Sequence, residues 1–374
     1  MRSALCLAAF AVTTLALPAS TVSAAKEVFT IELEGGERRQ VTENEKFALK
    51  AAGTNFFDVT YWPDFAPSTA QITKRQAVTY PSTLTQGTSV KALNAKLSSS
   101  NIQANLQTFS TYNNRYYRAA TGKQASDWLL TKVQSYIPSG SKATVKAYTH
   151  SWTQSSIIAT IPGKSTKTIV VGSHLDSINQ ASPTSGRAPG ADDNGSGSTT
   201  ILEAFRTLLT NSTIAAGGAA NTIEFHWYAG EEAGLLGSQA IFNSYSSSGR
   251  TVNAMLNQDM TGYTAGYTSR GLAPKFGVIT DNVSSSLTAF TKKVITAYTT
   301  TAFADDKCGY ACSDHASANR VGFPSVMIYE SEMAYENPYI HTAQDTINRI
   351  DFAHALEHAR LVVGWVVELG FATL

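Results

Sequence analysis

Along most of the chain, short apolar runs rich in Val and Ile alternate with longer stretches in which apolar residues recur every three or four positions. The short runs are typical of buried strands and the longer stretches of amphipathic helices. Strands are predicted at residues 145–152, 157–161, 169–173, 222–229, 254–257, 275–279 and 325–329. Helices are predicted at residues 89–97, 125–136, 197–209, 233–242 and 284–298, and from an N-cap at Asp351 to just before Gly370. Strands that alternate with helices predict an α/β fold with a largely parallel sheet, covered by helices on both faces.

The composition is that of a globular chain, with 374 residues of which 43% are hydrophobic. This length allows one large domain or two small ones. A net charge of +1 and a charged fraction of 15% argue against a partner that is a nucleic acid or another polyanion. The sequence contains no apolar run of about 18 to 20 residues, so no membrane-spanning segment is predicted.

The first 24 residues have the pattern of a secretory signal peptide. Arg2 provides a positive charge, residues 4–17 form an apolar core, and small residues at 22–24 offer a cleavage site. The protein is therefore expected to be secreted and extracellular, and Cys6 to leave with the signal peptide. In an oxidising compartment the two remaining cysteines, Cys308 and Cys312, are expected to form a disulfide. Half of a zinc knuckle is the alternative, but it needs more nearby ligands than His315.

Residues 25–79 are predicted to be a propeptide. They contain a short strand-like run at 28–31 and a charged stretch at 37–46, and the dibasic pair Lys74-Arg75 follows. Such a pair soon after a signal peptide indicates cleavage by a processing protease, with trimming possible as far as Thr79. An ordinary basic surface pair is the alternative. The propeptide could assist folding or block the site, and residues 80–374 would form the catalytic domain.

Three Asn-x-Ser/Thr sequons occur in the predicted catalytic domain. Asn211 and Asn282 are expected to be glycosylated, whereas Asn194 is expected to lie too deep in the fold.

Histidines and acids follow several predicted strands or open the helix at 197–209. Because the carboxyl ends of parallel strands meet at one edge of a sheet, these side chains can converge there. Imidazole and carboxylate together suit zinc, and the candidates exceed what one tetrahedral ion needs, which indicates two ions sharing a carboxylate. For Glu231-Glu232 alone, a solvated helix N-terminus is the simpler interpretation. The candidates are His174, Asp176, Asp192, Asp193, Glu231, Glu232, Asp259 and His341.

The segments GSHLDS, PGADDNGSG, AGEEAGLLGS, NQDMTGY, CGYACSDHAS and NPYIHTAQDT resemble the secreted fungal leucine aminopeptidases. These enzymes belong to the co-catalytic dizinc aminopeptidases, metallopeptidase family 28, and the resemblance extends from Tyr80 onward. It implies a single α/β domain of the zinc-exopeptidase, phosphorylase/hydrolase-like type. It also implies two Zn²⁺ per subunit, a monomer, and peptide substrates with a free N-terminus.

The resemblance also implies the ligand set. Asp193 would bridge both zinc ions, His174 and Asp259 would complete one site, and Glu232 and His341 the other. The peptide bond after Asp193 would be cis.

Several further roles follow from the resemblance. Asp176 would orient the imidazole of His174. Glu231, left uncoordinated, would be the general base toward the hydroxide bridging the two ions, and then the general acid toward the departing amine. Tyr310 would donate a hydrogen bond to the oxyanion. A pocket that favours Leu or other hydrophobic first residues would be lined by Met260, Cys308, Cys312, Met327, Tyr329, Met333 and Ile340.

The leading hypothesis is therefore a secreted metallo-aminopeptidase of the leucyl aminopeptidase type. A single-zinc glutaminyl cyclase on the same scaffold is the alternative, and a non-catalytic binding protein is a third. The other histidines, His150, His226, His354 and His358, are expected to be surface or packing residues.

Overall fold

A computed structural model of the chain describes residues 27–63, 72, 75 and 77–374. The predicted signal peptide and Lys74 of the dibasic pair lie outside the described residues. None of the helices that are described is both long enough and apolar enough to span a membrane.

Residues 27–63 form a small N-terminal unit. Three antiparallel strands, β1 (Val28–Glu32), β2 (Arg38–Thr42) and β3 (Phe57–Asp58), pair in the order β2-β1-β3, with helix α1 (Glu43–Ala51) beside them. Thr42 and Glu45 cap α1 reciprocally, because each side chain accepts the backbone N–H of the other residue. The strand predicted at 28–31 is present, while α1 falls partly in the charged stretch, where no element was predicted.

The central sheet has eight strands: β4 (Thr144–Tyr148), β5 (Ser156–Ile161), β6 (Thr168–His174), β7 (Thr222–Tyr228), β8 (Val252–Gln258), β9 (Lys275–Ile279), β10 (Ala302–Asp306) and β11 (Ser325–Tyr329). Their order in the sheet is β10-β9-β11-β8-β6-β7-β5-β4. The adjacent strands β11, β8, β6 and β7 are parallel to one another, and β9 is parallel to β10. The other three neighbouring pairs, β11 with β9, β7 with β5 and β5 with β4, are antiparallel. The predicted α/β fold with a mostly parallel mixed sheet is therefore confirmed.

Helices cover both faces of this sheet because side chains alternate across each strand. On β6, Ile169 and Val171 join the large apolar core that contains helices 197–208 and 352–371, whereas Val170 joins a smaller core with helix 236–247. The helices are α2 (Gly87–Asn94), α3 (Ser99–Phe109), α4 (Ala120–Ser135), α5 (Gly197–Leu208), α6 (Ser212–Ala215), α7 (Leu236–Ser247), α8 (Ala265–Thr268), α9 (Ser285–Tyr298), α10 (His315–Arg320) and α11 (Phe352–Phe371).

A few predicted boundaries were wrong. The strand expected at 145–152 ends at Tyr148, and the helix expected from 233 begins at Leu236, because Leu235 has a left-handed backbone with φ 60°. The closing helix does not stop before Gly370 but includes it. Asp351 does cap this helix, by accepting the N–H groups of Ala353 and His354.

Candidate metal centre

Three adjacent parallel strands bring most of the predicted ligands to one edge of the sheet. His174 is the last residue of β6, Asp259 follows the end of β8, and Glu231-Glu232 follow β7 after Gly230. Since β8, β6 and β7 are neighbours, their carboxyl ends deliver these side chains to the same place.

Asp193 and His341 come from loops rather than strands. Asp193 lies in the tight turn Ala191–Ser196 that leads into α5, and His341 in the loop between β11 and α11. The two loops are joined by the carboxylate of Asp345, which accepts the N–H groups of Asp192 and Asp193 at 3.0 Å. The peptide bond after Asp193 is cis, as the resemblance implied, and so is the bond after Asp259, which was not foreseen.

The side chains form two groups that share Asp193. His174, Asp193 and Asp259 form one, and Asp193, Glu232 and His341 form the other; within each, the nitrogen and oxygen donors all lie within 4.8 Å of one another. His174 Nε2 is 3.2 Å from Asp193 Oδ1 and 3.3 Å from Asp259 Oδ1. His341 Nε2 is 2.9 Å from Asp193 Oδ2 and 3.2 Å from Glu232 Oε2.

This donor set fits a metal centre. It combines imidazole nitrogens with carboxylate oxygens, which are the ligands that zinc accepts in catalytic sites. Glu232 Oε1 is buried and has no hydrogen-bond partner in the described part of the chain. Buried polar atoms are normally paired, so an unpaired carboxylate oxygen here is consistent with a place for a cation.

Asp176 lies directly behind this centre. Its Oδ1 is 3.4 Å from His174 Nδ1, and its two carboxylate oxygens accept the backbone N–H groups of Glu231 and Glu232 at 3.0 and 3.1 Å. Asp176 therefore holds three of the predicted site residues in one arrangement. Asp192 points elsewhere, toward the N–H of Gly262.

Burial and charge set the protonation of the site. Burial alone would raise the pKa of Asp193, but His341 and His174 outweigh it and lower the pKa. Burial raises the pKa of Glu231 well above its usual range, although the charges of Lys50 and His174 oppose this shift. Burial would also raise the pKa of Glu232, but the charge of His341 outweighs it and lowers the pKa, so of these three carboxyls Glu231 holds a proton most readily.

A cavity of about 130 Å³ adjoins the centre and is lined by His174, Asp193, Glu231, Asp259 and His341. Three further lining residues, Lys50, Asn55 and Glu336, were not predicted. No signal in the sequence points to Lys50 and Asn55, which lie far from the ligands along the chain. The apolar residues predicted for the substrate pocket all line this cavity: Met260, Cys308, Cys312, Met327, Tyr329, Met333 and Ile340.

Cys308 and Cys312 form the predicted disulfide, with their Cα atoms 5.9 Å apart. His315 is buried nearby, but paired cysteines offer no thiolate to a metal. Tyr310 does not line the cavity: its hydroxyl donates to Glu32 Oε1 at 3.3 Å, and its ring packs edge-on against Phe57.

The other histidines are packing residues. His226, His354 and His358 are buried, and His150 stacks on Trp152 with the ring centroids 4.3 Å apart.

Sequence comparison relates this chain to known proteins. Residues 156–366 match the model of peptidase family M28. The chain is 52% identical to leucine aminopeptidase 1 of Trichophyton equinum, over 97% of this chain and 98% of that protein. It is 53% identical to leucine aminopeptidase 1 of Arthroderma otae, over 92% of each chain.

Solved structures share the fold. The LapA aminopeptidase of Legionella pneumophila superimposes with a TM-score of 0.80 at 24% identity, over 94% of this chain and all of that one. The glutaminyl cyclase of Porphyromonas gingivalis superimposes with a TM-score of 0.56 at 19% identity, over 73% of this chain and 99% of that one. At such identities the likeness shows the fold alone. The family model and the fungal relatives confirm the predicted enzyme class, a metallo-aminopeptidase, and the chain belongs to peptidase family M28.

Proposed function

We propose that this chain is a secreted aminopeptidase that hydrolyses the N-terminal peptide bond of peptides and prefers Leu or another hydrophobic first residue. The observation that carries the proposal is the pair of donor groups that share Asp193 and face the same cavity as Glu231.

The donor groups support a centre for two zinc ions. His174, Asp193 and Asp259 would hold one, and Asp193, Glu232 and His341 the other. Two zinc ions bound there would polarise the scissile carbonyl and lower the pKa of the attacking water. Asp176 would keep the imidazole of His174 oriented.

Glu231 is proposed to move the proton. It would accept a proton from the attacking water and return it to the departing amine as the peptide bond breaks. Its position supports this role, because Glu231 lines the cavity beside both donor groups and belongs to neither of them. Tyr310 would donate to the oxyanion once its hydroxyl has left Glu32.

The requirement for a free N-terminus is attributed to the metal centre. Zinc bound there would take the free α-amine of a substrate as a ligand, and an internal peptide bond has no amine to offer. The ammonium of Lys50, which lines the cavity, lies 3.2 Å from Glu231 Oε2 and 3.4 Å from Glu232 Oε2. The Met and aliphatic walls of the cavity would then receive an apolar first side chain.

Replacing Glu231 and Glu232 separately tests this assignment. In the processed enzyme, Glu231→Gln should lower kcat for a leucine anilide by about 10²- to 10⁴-fold while two zinc ions per chain remain. Glu232→Gln, its neighbour and matched control, should lose zinc as well as activity. Full activity in Glu231→Gln, or zinc loss in that variant, would contradict the roles given to the two residues. One tightly bound zinc in the unaltered enzyme would instead favour a glutaminyl cyclase.

We also propose that residues 25–79 are a propeptide that blocks the site until it is removed by cleavage after the dibasic pair and trimming as far as Thr79. Lys50 and Asn55 line the cavity, and Lys50 binds the proposed general base and one proposed zinc ligand. The unit is tied to the loop that carries these glutamates, because the N–H of Asp58 donates to the carbonyl of Gly234 at 3.0 Å. These contacts favour blocking over a role in folding alone.

Secretion and glycosylation belong to the same proposal. Asn211 and Asn282 are partly exposed, which supports them as glycosylation sites, whereas Asn194 is fully buried and donates to Ser173 and to the carbonyl of Gln258.

A further inference from the structure

We infer that Glu336 extends the substrate range to peptides whose first residue is Lys or Arg. Its carboxylate would pair with the cationic end of the side chain while the apolar walls of the cavity contact the stem. The inference rests on the proposed aminopeptidase function and assigns a substrate class to that same site.

Four carboxylates among the described residues line the cavity. Asp193 and Asp259 belong to the donor groups, and Glu231 is next to the donor Glu232 in the sequence. Glu336 is the fourth, and it neither belongs to a donor group nor follows or precedes a donor residue in the sequence. It follows the short 3₁₀ turn Met333–Tyr335, and Met333 and Ile340 on either side of it along the chain also line the cavity. This placement puts a carboxylate within the apolar wall, in the same loop as the proposed zinc ligand His341 but outside both donor groups.

The carboxylate of Glu336 is held but not neutralised. Oε2 accepts the hydroxyl of Tyr329 at 3.0 Å, which fixes the side chain against another residue of the cavity wall. Oε1 has no hydrogen-bond donor among the described residues, and no ion pair to Glu336 is found there. Burial raises the pKa of Glu336, although the hydrogen bond from Tyr329 and the charge of His341 oppose this shift. A substrate cation would supply the missing partner.

Lys and Arg suit this arrangement because each combines an apolar stem with a charged end. Met260, Met327 and Met333 would contact the stem, since methionine adapts its shape to unbranched chains. Among the described residues that line the cavity, Lys50 carries the only ammonium or guanidinium group, and it belongs to the proposed propeptide. Removing that segment would leave no fixed ammonium or guanidinium there to repel a basic side chain.

The same carboxylate could instead bind the α-amine, which every substrate has. The two roles differ in what they predict. A partner of the α-amine would affect all substrates equally, whereas a partner of the side chain would affect only those with a positively charged first residue.

A pair of substrates that differ mainly in the side-chain charge separates these roles. We would measure kcat/KM of the processed enzyme for lysine and norleucine anilides, with arginine and leucine anilides beside them. Norleucine has the same unbranched stem as lysine but no ammonium. Glu336→Gln should lower kcat/KM for lysine and arginine by about tenfold or more, because a hydrogen bond to a charged group is lost. The values for norleucine and leucine should change less than about twofold.

The matched control is Glu332→Gln. Glu332 lies four residues earlier in the same loop, but its carboxylate accepts the hydroxyl of Tyr267 at 2.9 Å and does not line the cavity. This variant should leave all four substrates unchanged.

Two outcomes would overturn the inference: an equal loss for lysine and norleucine in Glu336→Gln, or no loss for either. An unaltered enzyme that cleaves leucine but not lysine anilide would also overturn it, while leaving the proposed function intact. Failure to cleave any of the four anilides would refute the proposed function itself. In that case, calorimetry with the Glu231→Gln enzyme would still compare the binding affinities of lysine amide and norleucine amide without turnover.

Discussion

The central sheet and the N-terminal unit of residues 27–63 are stabilised in different ways. The sheet has apolar layers on both faces, built from its own strands and helices. The N-terminal unit instead packs Phe47 against Tyr116 and Tyr117, and Phe57 and Val59 against Leu235. A segment below about 40 residues rarely builds a sufficient core alone. The unit therefore depends on the sheet, and the sheet has a core without the unit.

The charges of the two regions differ as well. The N-terminal unit encloses the ion pair of Lys46 and Asp58, at 2.5 Å with both side chains fully buried, and directs Lys50 toward Glu231 and Glu232 at the candidate metal centre. The sheet supplies the carboxylates that Lys50 binds. The carboxylates proposed for catalysis thus also hold the N-terminal unit in place, which links removal of this unit to access to the site.

The largest expected effect comes from breaking the buried pair of the N-terminal unit. Lys46→Met leaves Asp58 buried without a cation, which should destabilise the unit by about 3–5 kcal/mol. Hydrogen exchange in the full-length chain should then show faster exchange at residues 27–63 and unchanged exchange in the sheet. Lys123→Met is the control, because its partner Asp127 is exposed. Equal loss of protection in the sheet would show that the two regions unfold together.

The second prediction concerns the contact between the regions. Lys50→Met removes the ammonium from Glu231 and Glu232. Loss of one partner of a buried charged pair should weaken the binding of the N-terminal unit to the site by about 2–5 kcal/mol. The uncleaved full-length chain should therefore release leucine from an anilide at least about 30-fold faster than the unaltered uncleaved chain. Arg39→Met, which removes an exposed ion pair with Glu37 of the same unit, should have no such effect. Unchanged activity of Lys50→Met would argue against a blocking propeptide.

The third prediction concerns the sheet region and its pH dependence. His315 is fully buried, neither ring nitrogen has a hydrogen-bond partner in the described part of the chain, and burial lowers its pKa from 6.5 to about 4. The unfolded chain binds this proton near pH 6.5 and the folded chain only near pH 4. The contribution of His315 to stability is therefore complete above about pH 6.5 and decreases as the pH falls, by about 3 kcal/mol in all.

Urea unfolding of the metal-free chain at pH 7.5 and 4.5 measures this effect. Replacement by a residue that does not titrate, His315→Gln, should make the loss of stability between these two pH values smaller than in the unaltered chain. An identical loss in both chains would show that His315 does not contribute to it.

Much of the fold could be predicted from the sequence, and the exceptions have a common cause. Strands β9 and β11 were predicted residue for residue because each is a compact run with few polar residues. Strand β10, with sequence AFADD, and helix α3, with sequence SSNIQANLQTF, were missed. Strand β10 has no buried residue, and polar residues separate the three buried apolar residues of α3, Ile102, Leu106 and Phe109, so no compact apolar run marks either element.

The candidate site also has a part that local sequence patterns predict and a part that depends on tertiary packing. The sequence by itself determined which side chains follow the ends of parallel strands, because apolar runs mark strands and the parallel arrangement brings their ends together. It did not determine that Lys50 would lie against Glu231, 181 residues further along the chain, that Glu32 would hold the hydroxyl of Tyr310, or that Glu336 would face the cavity. Those contacts join elements that local patterning does not relate, and only the packing of the whole chain decides which distant charges meet.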